Sequence, residues 1–143
     1  MEWIDPLGLV GNRANRRAGD ILQNMENAAK ADGVNAHTYS RHGAQTTLPQ
    51  QYTRATTGLT PDGAQLYKVD STRFYSNVDH LDALQKANKA MNANGTDKEI
   101  VKMNRDIGEG YQKDSPCDTQ VRSTDRALFI RRNGHIFTGY PKL

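Results

Sequence analysis

The chain carries a single cysteine, Cys117. One thiol forms no internal disulfide framework and no multi-cysteine zinc site. The zinc deaminase pattern, His-x-Glu with a later cysteine pair, is thereby excluded. Cys117 follows Pro116 in a polar stretch with no obvious base, which argues against a nucleophilic thiol. No apolar run approaches the ~20 residues that a membrane-spanning helix needs. The first residues lack the charged and apolar succession of a secretory signal, so export would rely on machinery elsewhere, such as a preceding polypeptide. Neither a Gly-rich loop ending in Lys-Ser/Thr nor a His-Glu-x-x-His motif is present. No tight carboxylate cluster points to Mg²⁺. Apolar residues are 36% and aromatics 7% of 143 residues, enough for one domain with a modest core.

What is present is mildly basic. The formal net charge of +3 suits a polyanionic partner without requiring one. Residues 1–12, punctuated by Pro6, Gly8 and Gly11, read as a linker, and 13–143 as the domain. Helical spacing of Ile21, Met25 and Ala28 predicts a helix over 13–31. A short helix over 35–43 closes at Gly43. Thr47-Leu48-Pro49-Gln50 is a capping box that opens a helix to about Thr56. Residues 57–65 form a loop around Pro61-Asp62-Gly63. Strands are expected at 66–69, 72–75, 99–104, 119–123 and 126–132. Asn133-Gly134 predicts a hairpin returning through 135–140. Val78, Leu81, Leu84, Ala87 and Met91 mark the apolar face of a helix over 77–93, with Ser76 and Asn77 as caps. Helices precede strands, so the expected class is α+β, with N-terminal helices packed on a C-terminal antiparallel sheet.

Among the four histidines, His37 and His42 lie five apart. On a regular helix that step rotates by about 140°, so they would not share one narrow face. At a helix C-terminus next to Gly43, the dipole would raise the His42 pKa. Arg54 offers a guanidinium fork for phosphoryl oxygens. In His135–Tyr140, strict alternation would place Ile136, Thr138 and Tyr140 on one face, presenting two hydroxyls to one ligand. Ser71, Thr72 and Arg73 form a polar cluster in STRFYSN. Glu109 sits between two glycines, in a turn exposed to solvent or in a site. His, Arg, Thr and Tyr without metal ligands fit RNA cleavage in which the 2′-hydroxyl attacks its own phosphate. The protein then supplies a base, an acid and support for the phosphorane.

The opening Trp-Ile-Asp-Pro-Leu-Gly-Leu resembles the junction at the end of the Rhs repeat core, where a C-terminal toxin is released from an encapsulating shell. Such shells are loaded on type VI or related secretion systems. The stretches HTYSRHG, QQYTRA, STRFYSN, IGEGY and NGHIFTGYP resemble, in order, the barnase–EndoU–colicin–RelE group of RNase toxins. The likeness is strongest to RNase A-like domains of contact-dependent inhibition proteins, and covers about residues 37–141. The chain departs from that pattern in having Arg-His-Gly where relatives often show His-Val-Gly, and in its long loop over 57–65.

This resemblance implies catalysis by His42, Arg54, Thr138 and Tyr140 with His37, and substrate contacts from Arg41, Ser71, Thr72 and Arg73. It implies no cofactor, an RNA substrate, the Rhs shell and a cognate immunity protein as partners, and delivery as a secreted effector into a target bacterium's cytoplasm. An immunity protein covering a basic groove should be acidic. Some Rhs toxins are instead ADP-ribosyltransferases. In that alternative NAD is the cofactor, and Arg41, Ser71 and Glu109 are the candidate site. A non-enzymatic binding module is the third reading.

Overall fold

The computed structural model describes residues 9–116 and 120–143; residues 1–8 and Cys117 lie outside them. Helix α1 runs Leu9–Ala31, so the last four residues of the expected linker are helical. Its buried stripe is Ala18, Leu22, Glu26 and Ala29, whereas Ile21 and Met25 stay exposed at 38% and 36%. The stripe is displaced by one residue from the apolar pattern because it includes a carboxylate. Glu26 Oε1 and Oε2 accept the backbone N–H groups of Tyr39 (2.8 Å) and Ser40 (3.2 Å). Those are first-turn donors of α2 (Thr38–His42), whose N-cap residue His37 makes no side-chain cap. Glu26 supplies the acceptors a helix N-terminus needs.

Helix α3 (Leu48–Thr57) opens with the expected capping box. Gln50 N–H donates to Thr47 Oγ1, and Thr47 N–H donates to Gln50 Oε1. Helix α4 (Asn77–Asn94) is capped by Ser76, whose hydroxyl accepts from Asp79 N–H. Its buried face is His80, Ala83, Leu84, Ala87 and Met91; Val78 and Leu81 are only half-buried. A histidine at the head of that stripe shifts the face away from the purely apolar pattern.

Among the described residues, six strands form two antiparallel three-stranded sheets. One has the order β1 (Ser71–Phe74), β3 (Gly108–Tyr111), β4 (Arg122–Thr124); the other has β2 (Lys98–Lys102), β5 (Arg126–Arg132), β6 (His135–Pro141). The expected α+β class is thus realised with two sheets rather than one. The β5–β6 turn has positive φ at both Asn133 (51°) and Gly134 (78°), the type I′ signature of the Asn-Gly pair. The strand expected at 66–69 does not form. Leu66, Tyr67 and Val69 are exposed, and among the described residues the β-pairing of this loop is limited to the isolated bridge Leu59–Gln65. The glycine-flanked segment around Glu109 is strand β3 rather than a turn. A Cβ on Gly110 would stand 2.1 Å from the Ser71 carbonyl oxygen, so β1 and β3 approach closely only with glycine there.

The main core joins Leu22 and Phe74 to Leu84, Met91, Ile107 and Phe129, with Ile136 at its edge. Gly139 of β6 lies against Phe129, and a Cβ there would fall 2.0 Å from Phe129 Cδ1. Gly139→Ala is expected to cost about 1–3 kcal/mol through displacement of that ring. Urea unfolding checks it; an unchanged midpoint would mean that the contact relaxes freely.

Candidate functional site

The two sheets bring their edge strands together, β1 from one and β6 from the other. Thr72 Oγ1 ties them by donating to the Pro141 carbonyl oxygen (2.7 Å). Helix α2 lies along the outer edge of β6. The pairing passes from Ile130–Thr138 to Arg131–Ile136, leaving Phe137 as an extra residue. This bulge frees the Phe137 carbonyl oxygen, which accepts His37 N–H (3.0 Å). At the next residue, Thr38 Oγ1 donates to the Gly139 carbonyl oxygen (2.6 Å) and accepts from His80 Nε2–H (2.9 Å). The bulge also breaks strict alternation along β6. Ile136 joins the core, while Thr138 and Tyr140 line a cavity; the three do not share one face.

That cavity, about 560 Å³, gathers residues from α2, α3, β1 and β6. His37, Arg41 and His42 form one wall, and Arg54 comes from α3. Ser71, Thr138 and Tyr140 line it from the strands. Lys68, Asp70, Lys113 and Lys142 complete its charged lining. His37 and His42 reach the same cavity because His37 is the non-helical N-cap and His42 the last helical residue. The 140° separation expected for a regular helix does not apply to them.

The histidines are oriented alike. His42 Nδ1 lies 2.8 Å from the Thr72 carbonyl oxygen, and His37 Nδ1 lies 3.0 Å from that of Asn35. A carbonyl only accepts, so each Nδ1 carries the proton and each neutral ring keeps its lone pair on Nε2. Burial pushes the His42 pKa down to about 4, against the Thr72 carbonyl, which favours the charged ring. This corrects the dipole expectation: a helix of five residues offers little field, and desolvation outweighs it. Burial also lowers the pKa of His37, with Arg41 adding to the effect. The Tyr140 ring packs beside His42 at 5.4 Å between centroids. Its phenol pKa is raised by burial and by Asp70, so it holds its proton at neutral pH.

Arg54 Nη1 donates to the carbonyl oxygens of Gly58 and Tyr67. Burial and the nearby Arg41 lower its pKa. Arg41 pairs with Asp62 (3.0 Å), and Lys68 with Asp114 (3.0 Å). Burial alone would raise the Asp62 carboxyl, but the Thr60 hydroxyl and Arg41 hold it below the usual range. Arg54, Lys113 and Lys142 enter no ion pair among the described residues. The cavity therefore carries cationic charge that its own carboxylates do not neutralise.

Thr72, Arg73 and Glu109 are not part of the lining. The Thr72 side chain is spent on Pro141, and its contribution is the carbonyl that orients His42. Arg73 Nη1 meets Glu109 Oε2 at 2.8 Å and its other nitrogens donate to the Ala44 and Thr46 carbonyl oxygens. This pair fastens the loop that follows His42. The expected contact set thus divides: Arg41 and Ser71 line the cavity, and Thr72 and Arg73 support it. Of the transferase set, Glu109 is engaged elsewhere.

Sequence reasoning missed Glu26, His80, Lys68, Asp70, Lys113 and Lys142. The lysines carry no motif and converge only through tertiary structure. Glu26 could have been found as the one charge in an otherwise apolar helical stripe.

No protein-family model and no curated protein matches the sequence. The fold is similar to that of a chain in the solved CdiA-CT/CdiI complex from Y. kristensenii 33638, with a TM-score of 0.52 at 19% identity. The likeness covers 76% of this chain and 100% of that one.

Proposed function

We propose that this chain is an interbacterial toxin domain that cleaves RNA without a metal ion, by attack of a 2′-hydroxyl on the adjacent phosphate. The observation that carries the reading is the convergence of His37, His42, Arg54, Thr138 and Tyr140 on one cationic cavity. The shared fold with a chain of a CdiA-CT/CdiI complex supports the toxin part.

In this mechanism His42 Nε2 takes the proton from the 2′-hydroxyl. The O2′–P bond forms and the P–O5′ bond breaks. His37, in its imidazolium form, protonates the departing 5′-oxygen. A phosphate between the rings stabilises that cation, opposing the desolvation that lowers the His37 pKa in the free protein. Arg54 meets the charge that accumulates on the phosphoryl oxygens, and the hydroxyls of Thr138 and Tyr140 donate to them. The products are a 2′,3′-cyclic phosphate and a 5′-hydroxyl. The reading also assigns an Rhs shell before release, delivery into a target cell's cytoplasm, and an acidic immunity partner for the cationic mouth.

The decisive experiment incubates the purified protein with total RNA in EDTA, with and without NAD. Fragments ending in 2′,3′-cyclic phosphate are expected in both. Intact RNA with label transferred from NAD would replace this reading by the ADP-ribosyltransferase one. The engagement of Glu109 with Arg73 weighs against that outcome.

A further inference from the structure

The segment between α3 and β1 leaves large apolar side chains in water beside the cavity. Leu66 is 44%, Val69 40% and Tyr67 86% exposed, and Tyr67 is the most exposed large hydrophobic residue among those described. The position of Tyr67 is not arbitrary. Its carbonyl oxygen accepts from Arg54 Nη1, so the arginine that lines the cavity also anchors the backbone carrying this ring. The next residues, Lys68, Val69 and Asp70, line the cavity themselves. A phenol ring therefore projects from the rim of a hollow whose Arg54, Lys113 and Lys142 lack carboxylate partners among the described residues.

An apolar ring held open at the mouth of a cationic hollow matches a ligand with alternating anionic and flat apolar parts. Single-stranded RNA has that pattern, with phosphates for the cations and an unstacked base for the ring. We propose that Tyr67 is a stacking platform for a base flanking the phosphate held at Arg54. The proposal rests on the ribonuclease reading and adds to it a binding residue outside the catalytic set. Lys68, the next residue, pairs with Asp114 just after β3 (3.0 Å). A duplex offers no free base face, so the platform favours single strands.

The test compares the parent with Tyr67→Ala, Tyr67→Phe and Tyr67→Leu on a single-stranded RNA oligomer and on the same strand in a duplex. Tyr67→Ala is expected to lower kcat/KM on the single strand by about 5- to 150-fold, the usual range for losing one base–aromatic stack. Tyr67→Phe should retain activity and Tyr67→Leu should not. Circular dichroism and thermal unfolding of all variants should match the parent, since the ring is in solvent. In a His42→Ala background, an oligomer carrying 2-aminopurine should be quenched on binding, and the added Tyr67→Ala change should abolish the quench. Unchanged cleavage and quenching in Tyr67→Ala, or leucine serving as well as phenylalanine, would overturn the assignment and leave the ring to a protein partner. A parent that cleaves no RNA would instead remove the ribonuclease reading itself.

Discussion

His42→Ala is expected to lower RNA cleavage by about 10²–10⁴-fold while the protein remains folded. Two features set that range. The neutral ring presents Nε2 as a lone pair because Nδ1–H is committed to the Thr72 carbonyl oxygen at 2.8 Å. Its pKa near 4 keeps the ring neutral in the free protein, and the bound phosphate raises its basicity toward the operating pH by stabilising the imidazolium that forms. The change removes one hydrogen bond to a backbone carbonyl, about 1 kcal/mol, and the ring packing on Tyr140, with α2 still held by Glu26 and by Thr38. Added imidazole should restore part of the activity, since the cavity of about 560 Å³ gains further room when the ring is removed. Full activity in His42→Ala, or a loss that follows unfolding measured on the same sample, would sink the base assignment. Glu109→Gln is the matching control. It weakens the ion pair to Arg73 and should reduce stability, not turnover.

The candidate site was legible in the sequence to the extent that chemistry fixes residue type. Acid–base work needs histidine, phosphoryl charge needs arginine, and β6 offered Thr138 and Tyr140 two apart. The orientation of those groups was not legible. It depends on the Phe137 bulge, which frees one carbonyl for His37 N–H and moves Ile136 into the core. A bulge leaves no mark in a heptapeptide that alternates as well as this one does. The cap of α2 was hidden for a related reason: its acceptor, Glu26, lies on another helix. Local signals fared better. The capping box of α3 and the Asn133-Gly134 turn are set by residues within four positions of one another, and both form as expected. The stretch 66–69 shows the opposite case, in which β-prone residues find no partner strand and stay in solvent.

Acid should destabilise the fold well before its carboxylates are titrated, and His80 is the main reason. The ring is fully buried and stacks on Phe74 with centroids 4.0 Å apart. Its Nε2–H donates to Thr38 Oγ1, because that hydroxyl spends its own proton on the Gly139 carbonyl. Nδ1 has no partner among the described residues, so a second proton there would be a buried, unsatisfied charge. Desolvation, with a smaller repulsion from His42, pushes the pKa from 6.5 down to about 3. The unfolded chain therefore binds a proton that the folded one refuses between those values. Stability from this group is complete above pH 6.5 and declines as the pH falls toward 3, by on the order of 3–5 kcal/mol in total. His42 acts in the same direction over a narrower range, from 6.5 to about 4. Glu26 opposes them: burial raises its carboxyl pKa, so its protonation at low pH favours the folded state. Two histidines outweigh one carboxyl here, and urea midpoints should fall steadily from pH 7 to pH 4. Nitrogen NMR on the ring should still find the neutral Nε2–H tautomer of His80 at pH 5. An imidazolium signal from the folded protein at that pH, or a flat stability profile, would show that the core admits the charge. The link from Thr38 through α2 to the cavity would then lose its rigid anchor.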